Sequence, residues 1–184
     1  MLAHALRLSA AVLISAVPAV AFADEAHAID EQHSRAAFSV THVLVQRVGG
    51  TLPIRSGTVT LGADGRPTAV EAVLDPKHID TRDEDRDGDL QSADWFDTAR
   101  FPAWTFKSTR IDPGSGGAFK IEGLLASHGR SVPVVLDAQT TGTGSKRAYS
   151  ASAHVDRHEF GMARTTYDAL VGTDIAITLS IETR

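Results

Sequence analysis

From Arg35 onward apolar and polar residues take turns: Ala36, Phe38, Val40 and His42 share one face of an extended chain, and Ala37, Ser39 and Thr41 share the other. A period of two is that of a strand half-buried in a sheet. Gly49-Gly50 breaks the pattern and Thr58-Val59-Thr60-Leu61 resumes it. The turn Gly62-Ala63-Asp64-Gly65 then leads into a second arm, where Val70, Ala72 and Leu74 oppose Glu71 and Asp75. Downstream, Trp104, Phe106 and Ser108 alternate with Thr105 and Lys107, and a glycine-rich turn at 114–117 opens into Phe119-Lys120-Ile121-Glu122. A strand over 132–136 follows, in which Pro133 implies an edge, a bulge or a strand start because it cannot donate to a ladder. Beyond a turn at 142–145, Tyr149, Ala151, Ala153 and Val155 oppose Ser150, Ser152, His154 and Asp156. Finally Ile175, Ile177, Leu179 and Ile181 oppose Ala176, Thr178, Ser180 and Glu182.

About eight strands at hairpin spacing predict an all-β, antiparallel fold, either a sandwich or a closed barrel. A barrel of that size is filled by its own side chains or holds one elongated ligand. Small residues on the apolar faces, Ala36, Ala72, Ala151 and Ala153, leave internal volume if those faces point inward, unless large residues opposite fill it. Helix is confined to two short pieces, over 92–99 with Ser92 as the cap and over 164–170. The segment 82–109 interrupts the strands. Its first half is a carboxylate cluster, and its second half holds Trp95, Phe96, Phe101, Trp104 and Phe106, so a polar rim leads into an apolar wall at the mouth of a barrel. By burial tendency alone these aromatics read as core rather than as a ligand-binding wall.

The first 23 residues stand apart. Arg7 precedes an apolar run over 8–20, and Ala21-Phe22-Ala23 supplies small residues at a cleavage site, so residues 1–23 read as a signal peptide removed on export to the periplasm. The run is too short to span a bilayer, so the mature chain, residues 24–184, is expected to form one domain that does not span the membrane. Cleavage reduces 18 basic residues to 17 against 23 acidic ones, a formal charge of −6. With no Lys/Arg-rich run, this balance argues against nucleic acid and against anionic membrane surfaces as partners. The absence of cysteine excludes disulfides, thiolate metal sites and thiol nucleophiles.

The residues bear on three kinds of chemistry. Asp83, Asp85, Asp87, Gly88, Asp89 and Asp94 match the spacing of a calcium loop, with oxygens at positions 1, 3 and 5, glycine at 6 and a carboxylate at 12. Asp94 is shorter than the usual bidentate Glu, and no amphipathic helix flanks the loop; a solvated acidic loop accounts for the same residues. His154 and His158, and His33 and His42, lack an assignable third ligand and read as surface or hydrogen-bonded histidines, while His128 beside Gly129 reads as a turn residue. His42 shares its face with Phe38 and Val40 and would be a polar group inside the cavity. No Gly-x-Ser-x-Gly elbow occurs, so hydrolysis of an envelope lipid ranks last and no catalytic residue is assigned.

Several segments, taken together, resemble the YceI-like family of exported lipid-binding proteins: His33-Ser34 with Phe38-Ser39-Val40-Thr41-His42; Arg86-Asp87, Leu90 and Ser92-Ala93-Asp94-Trp95-Phe96; Phe101-Pro102 with Thr105-Phe106-Lys107-Ser108-Thr109; Gly123-Leu124-Leu125, His128-Gly129 and Val132-Pro133-Val134; and Arg157-His158-Glu159-Phe160-Gly161-Met162. They come in the family's order and span nearly the whole mature chain. The resemblance implies a lipocalin-like β-barrel that encloses a polyprenyl lipid or isoprenoid quinone, often as a homodimer, without a further cofactor and without enzymatic activity. It also implies a ligand-binding wall of Phe38, Val40, His42, Trp95, Phe96, Phe101, Trp104 and Phe106, and a mouth at Arg86, Asp87 and Asp89. Where relatives commonly carry basic residues this chain has Gly88-Asp89 and Gln91. With Asp83, Asp85, Asp87 and Asp89 the rim repels anions, which favours a neutral prenyl head such as a quinone over a pyrophosphate. A calcium-stabilised interaction module with a self-filled barrel is the alternative.

Overall fold

The computed structural model describes residues 24–43, 46–142, 147–162 and 168–184. The expected signal peptide, most of the turn at 142–145 and residues 164–167 of the second expected helix lie outside the described residues.

Ten strands form one antiparallel sheet among the described residues: β1 (Glu25–Ala28), β2 (Arg35–His42), β3 (Gln46–Leu52), β4 (Ile54–Leu61), β5 (Pro67–Leu74), β6 (Trp104–Pro113), β7 (Ala118–Ser127), β8 (Arg130–Thr140), β9 (Ala148–Asp156) and β10 (Val171–Glu182). They are ordered β1-β4-β5-β6-β7-β8-β9-β10-β2-β3. The eight strands expected from alternation are all present, and the two unexpected ones, β1 and β3, are the outermost. Neither has strand-like sequence: β1 is Glu-Ala-His-Ala, and β3 contains Gly49-Gly50. Pairing rather than propensity makes them strands.

The sheet curls into a lipocalin-like half-barrel because β10, the last strand, inserts between β9 and β2. Its seam is fastened just beyond β1. Ile29 pairs with Thr183 and donates its N–H to Gly57 O at 2.9 Å, the Asp30 N–H reaches Glu182 O at 2.8 Å, and the Arg184 N–H reaches Ala28 O at 2.8 Å. Ile29 is only 2% exposed, so this clasp is also apolar.

Pro133 lies inside β8, but its part of that strand is laddered to β7, while the register with β9 covers Asp137 to Thr140. It therefore occupies a local edge, one of the settings its missing donor allows. The β7–β8 connection is a two-residue turn at His128-Gly129, with φ of 48° and 73°. Positive φ at both positions matches the twist of a hairpin and explains a glycine after the histidine.

The helix is displaced from its expected place. α1 (Glu84–Gln91) begins at Asp83, whose carboxylate accepts the Arg86 N–H at 3.1 Å, and three acids occupy its first turn, where the helix dipole favours them. Ser92 ends this helix instead of starting one; its N–H reaches Asp89 O at 3.0 Å, and 92–99 continues as turns. Leu90 is the only large apolar residue on α1, so the periodicity that usually signals a helix was missing. Of the second expected helix, Asp168–Leu170 is a single 3-10 turn.

Candidate functional site

The alternating faces converge inside the curl. Ala36 and Phe38 of β2, Phe106 of β6, Ile121 of β7, Val134 of β8 and Ile177 of β10 are among the side chains around a cavity of about 430 Å³, and its wall is overwhelmingly apolar. Of the four small residues expected on the inner faces, Ala36, Ala72 and Ala151 line it and leave space, whereas Ala153 is packed into the core beside it. Two apolar clusters share the wall. One is built around Ile29, Val59, Phe119, Leu136 and Tyr149, and the other around Leu52, Ile79, Phe96, Trp104, Phe160 and Met162.

Seven of the eight expected wall residues border this cavity: Phe38, Val40, His42, Trp95, Phe96, Trp104 and Phe106. Phe96 meets Trp104 edge to face, with ring centroids 4.6 Å apart. Phe101 is elsewhere. Its ring packs edge-on to His128 at 5.5 Å, with the Arg100 guanidinium 5.2 Å from its centroid, and so covers the β7–β8 turn. Proximity to β6 in sequence did not carry it to the inner face.

Arg86 and Asp89 border the cavity from α1, with Thr81 and Leu90 beside them. Asp87 has a different position. Its carboxylate accepts the Thr81 N–H at 2.9 Å and the Thr81 hydroxyl, while Arg86 donates from Nε to Thr81 Oγ1 at 2.9 Å and from Nη2 to Thr81 O at 2.8 Å. The Arg-Asp pair thus clamps the chain before α1 onto the helix.

The calcium-loop spacing is not realised as a calcium loop. Asp83 caps the helix, Asp85, Asp87 and Asp89 lie on it, Gly88 is helical rather than at a turn, and Asp94 follows it. Ligands at 1, 3 and 5 need a tight loop, whereas a helix spreads those positions around its circumference. Among the described residues no three His, Asp or Glu side chains converge as a metal-holding group. His33 instead bonds Asp30 at 3.0 Å, and His154 bonds Asp174 at 2.9 Å.

One lining residue escaped the sequence reading. Arg157 is 2% exposed and spends its donors on carbonyls: Nε on Gly172 O at 2.9 Å, Nη2 on Val171 O at 2.7 Å and Nη1 on Met162 O at 3.3 Å. Its guanidinium lies 5.6 Å from the Trp95 ring centroid, within cation–π range. The signal was an arginine at the end of an alternating strand, opening the turn Arg157-His158-Glu159-Phe160-Gly161-Met162, where a fork of donors can gather loop carbonyls. At Tyr149 burial raises the phenol pKa, opposed by the nearby Arg147.

A curled antiparallel sheet around an apolar cavity defines a lipocalin-like class of protein. Residues 27–183 match the YceI-like domain. The chain is 30% identical over 178 residues to protein YceI of Escherichia coli O157:H7, covering 92% of each. In structure it resembles BcnA of Burkholderia cenocepacia, with a TM-score of 0.78 at 17% identity over 85% of this chain and 99% of that one. It also resembles a polyisoprenoid binding domain from Saccharophagus degradans, with a TM-score of 0.63 at 13% identity over 86% and 97% of the two chains. The chain belongs to the YceI-like family.

Proposed function

We propose that this protein is an exported, non-enzymatic carrier that holds one long-chain isoprenoid lipid, a polyprenyl lipid or an isoprenoid quinone, in its cavity. The observation that carries the reading is the apolar cavity of about 430 Å³ inside the sheet. Its size falls within the range of roughly 300–1,000 Å³ typical of small-molecule sites. Each CH₂ transferred into such a site contributes about 0.8 kcal/mol, so an apolar chain alone supplies substantial affinity. Membership of the YceI-like family and the likeness to a polyisoprenoid binding domain support the same reading. The exposed carboxylates of Asp83, Asp85 and Asp89 favour a neutral head over an anionic one.

The test is native mass spectrometry of protein purified from its own envelope, followed by solvent extraction. A stoichiometric prenyl lipid or quinone, on a chain that begins at Asp24, is the expected result. A protein that is empty and takes up no added prenyl lipid overturns the reading.

A further inference from the structure

The cavity wall carries two polar atoms that the fold leaves without partners. Trp104 Nε1 and Ser127 Oγ are both buried and, among the described residues, make no hydrogen bond. Their residues are 7% and 4% exposed, and both border the cavity. They are also neighbours in the sheet. Thr105 of β6 pairs with Ala126 of β7, so Trp104 and Ser127 stand at the next position, on the inner face. Two independent orphans at one register position are unusual, because a buried polar group left unpaired costs stability that an apolar residue at the same place would not. Phe96, Val132, Phe160 and Met162 pack in the same cluster as Trp104, making its surroundings dry.

We infer that Trp104 and Ser127 form a subsite for a carbonyl oxygen on the head of the bound lipid, an inference that rests on the carrier reading above. The indole N–H can only donate, and a hydroxyl donates as readily as it accepts, so the group both can serve is a hydrogen-bond acceptor. The Ser127 hydroxyl is brought to the ligand by rotation about its Cα–Cβ bond between staggered positions. No charge is available at either atom, so a neutral carbonyl suits the pair better than a phosphate. The head of the lipid accordingly lies inside the cavity against β6 and β7, and the carboxylates of α1 act on it at the mouth, as it enters. A quinone ring and a fatty amide both supply such an oxygen.

The experiment measures uptake of three lipids of matched length by the delipidated mature protein: a prenyl benzoquinone, a straight-chain primary amide and a prenyl hydrocarbon with no head. Wild type, Ser127→Ala and Trp104→Phe are compared. The wild type is expected to favour the carbonyl lipids over the hydrocarbon, and each variant to lose about threefold to tenfold of that preference, as one neutral hydrogen bond predicts, with the hydrocarbon uptake of each variant as its own baseline. Whichever carbonyl lipid loses more in both variants identifies the source of the oxygen. The empty Ser127→Ala protein should melt no lower than wild type, since an unsatisfied hydroxyl has been removed; a purely structural hydroxyl would lower the melting temperature instead. An unchanged preference in both variants overturns the subsite and leaves the carrier reading intact. Failure of the wild type to take up any of the three lipids overturns both.

Discussion

The ring of Phe106 lies over the backbone of Gly123 on the neighbouring strand. A Cβ added at 123 would stand 2.6 Å from Phe106 Cε2 and 2.7 Å from Lys107 O, both inside van der Waals contact. The missing side chain of β7 is thus the seat of an aromatic ring that lines the cavity. Gly123→Ala forces that ring inward or the strands apart, at a cost of about 1–3 kcal/mol. Urea unfolding should show the loss, and double substitution with Phe106→Leu should recover part of it. A fully additive pair would show that the two residues do not compete for the same space.

The inward alanines make the cavity hollow, so filling them should empty it of ligand without breaking the fold. Ala72→Leu and Ala151→Leu each add three carbons to the wall of a cavity that has room for them. Retained prenyl lipid per protein, measured after solvent extraction, is expected to fall in each variant and to be lost in the pair, with the melting temperature held or raised. Phe38→Asp should abolish retention by another route, placing a carboxylate against an apolar chain. Retention that survives all of these in folded protein would put the ligand somewhere other than this cavity.

Much of this was legible because a strand's period of two is written directly in the residues, and the eight strands that bury one face each show it. β1 and β3 were not legible, since a four-residue strand and a strand with Gly49-Gly50 take their form from the neighbours that pair with them. α1 is hidden for a related reason: Leu90 is its one large apolar residue, so its signal lies in the Asp83 cap and the acids after it, which also fit a calcium loop. Phe101 shows the limit of assigning aromatics by sequence proximity, because a turn between 96 and 104 separates the rings that face inward from the one that covers a hairpin. Arg157 shows the limit of polarity as a guide to exposure, as two of the carbonyls that hold it, at 171 and 172, lie on β10 and outside the turn that it opens.

Those carbonyls give Arg157 a measurable role. Arg157→Met keeps much of the side chain's length but leaves Gly172 O, Val171 O and Met162 O without these donors, and stability should fall on the order of 2–4 kcal/mol. Arg157→Lys should rescue little, because an ammonium cannot reproduce a planar fork directed at three acceptors. Denaturant midpoints for the two variants test this, and a lysine variant as stable as wild type would show that charge rather than hydrogen-bond geometry is what matters at this position.

Asp75 gives the fold a defined acid sensitivity. Burial pushes its pKa up, but hydrogen bonds from Arg55 at 2.8 Å and His78 at 2.9 Å, with the charges behind them, outweigh that and hold the carboxyl below its ordinary 3.8. A carboxylate with a lowered folded-state pKa contributes stability that is fully present above the unfolded value and is lost as pH falls through the folded one. Wild type should therefore exceed Asp75→Asn in melting temperature at pH 5, and the gap should narrow as pH drops below about 4, where the unfolded chain begins to take up the proton. Asparagine retains an acceptor for the Lys77 N–H at the start of the turn Pro76–His78, so the comparison isolates the charge. A gap that stays constant between pH 5 and pH 2.5 would mean that the pairing with Arg55 and His78 does not govern the acid limb of stability.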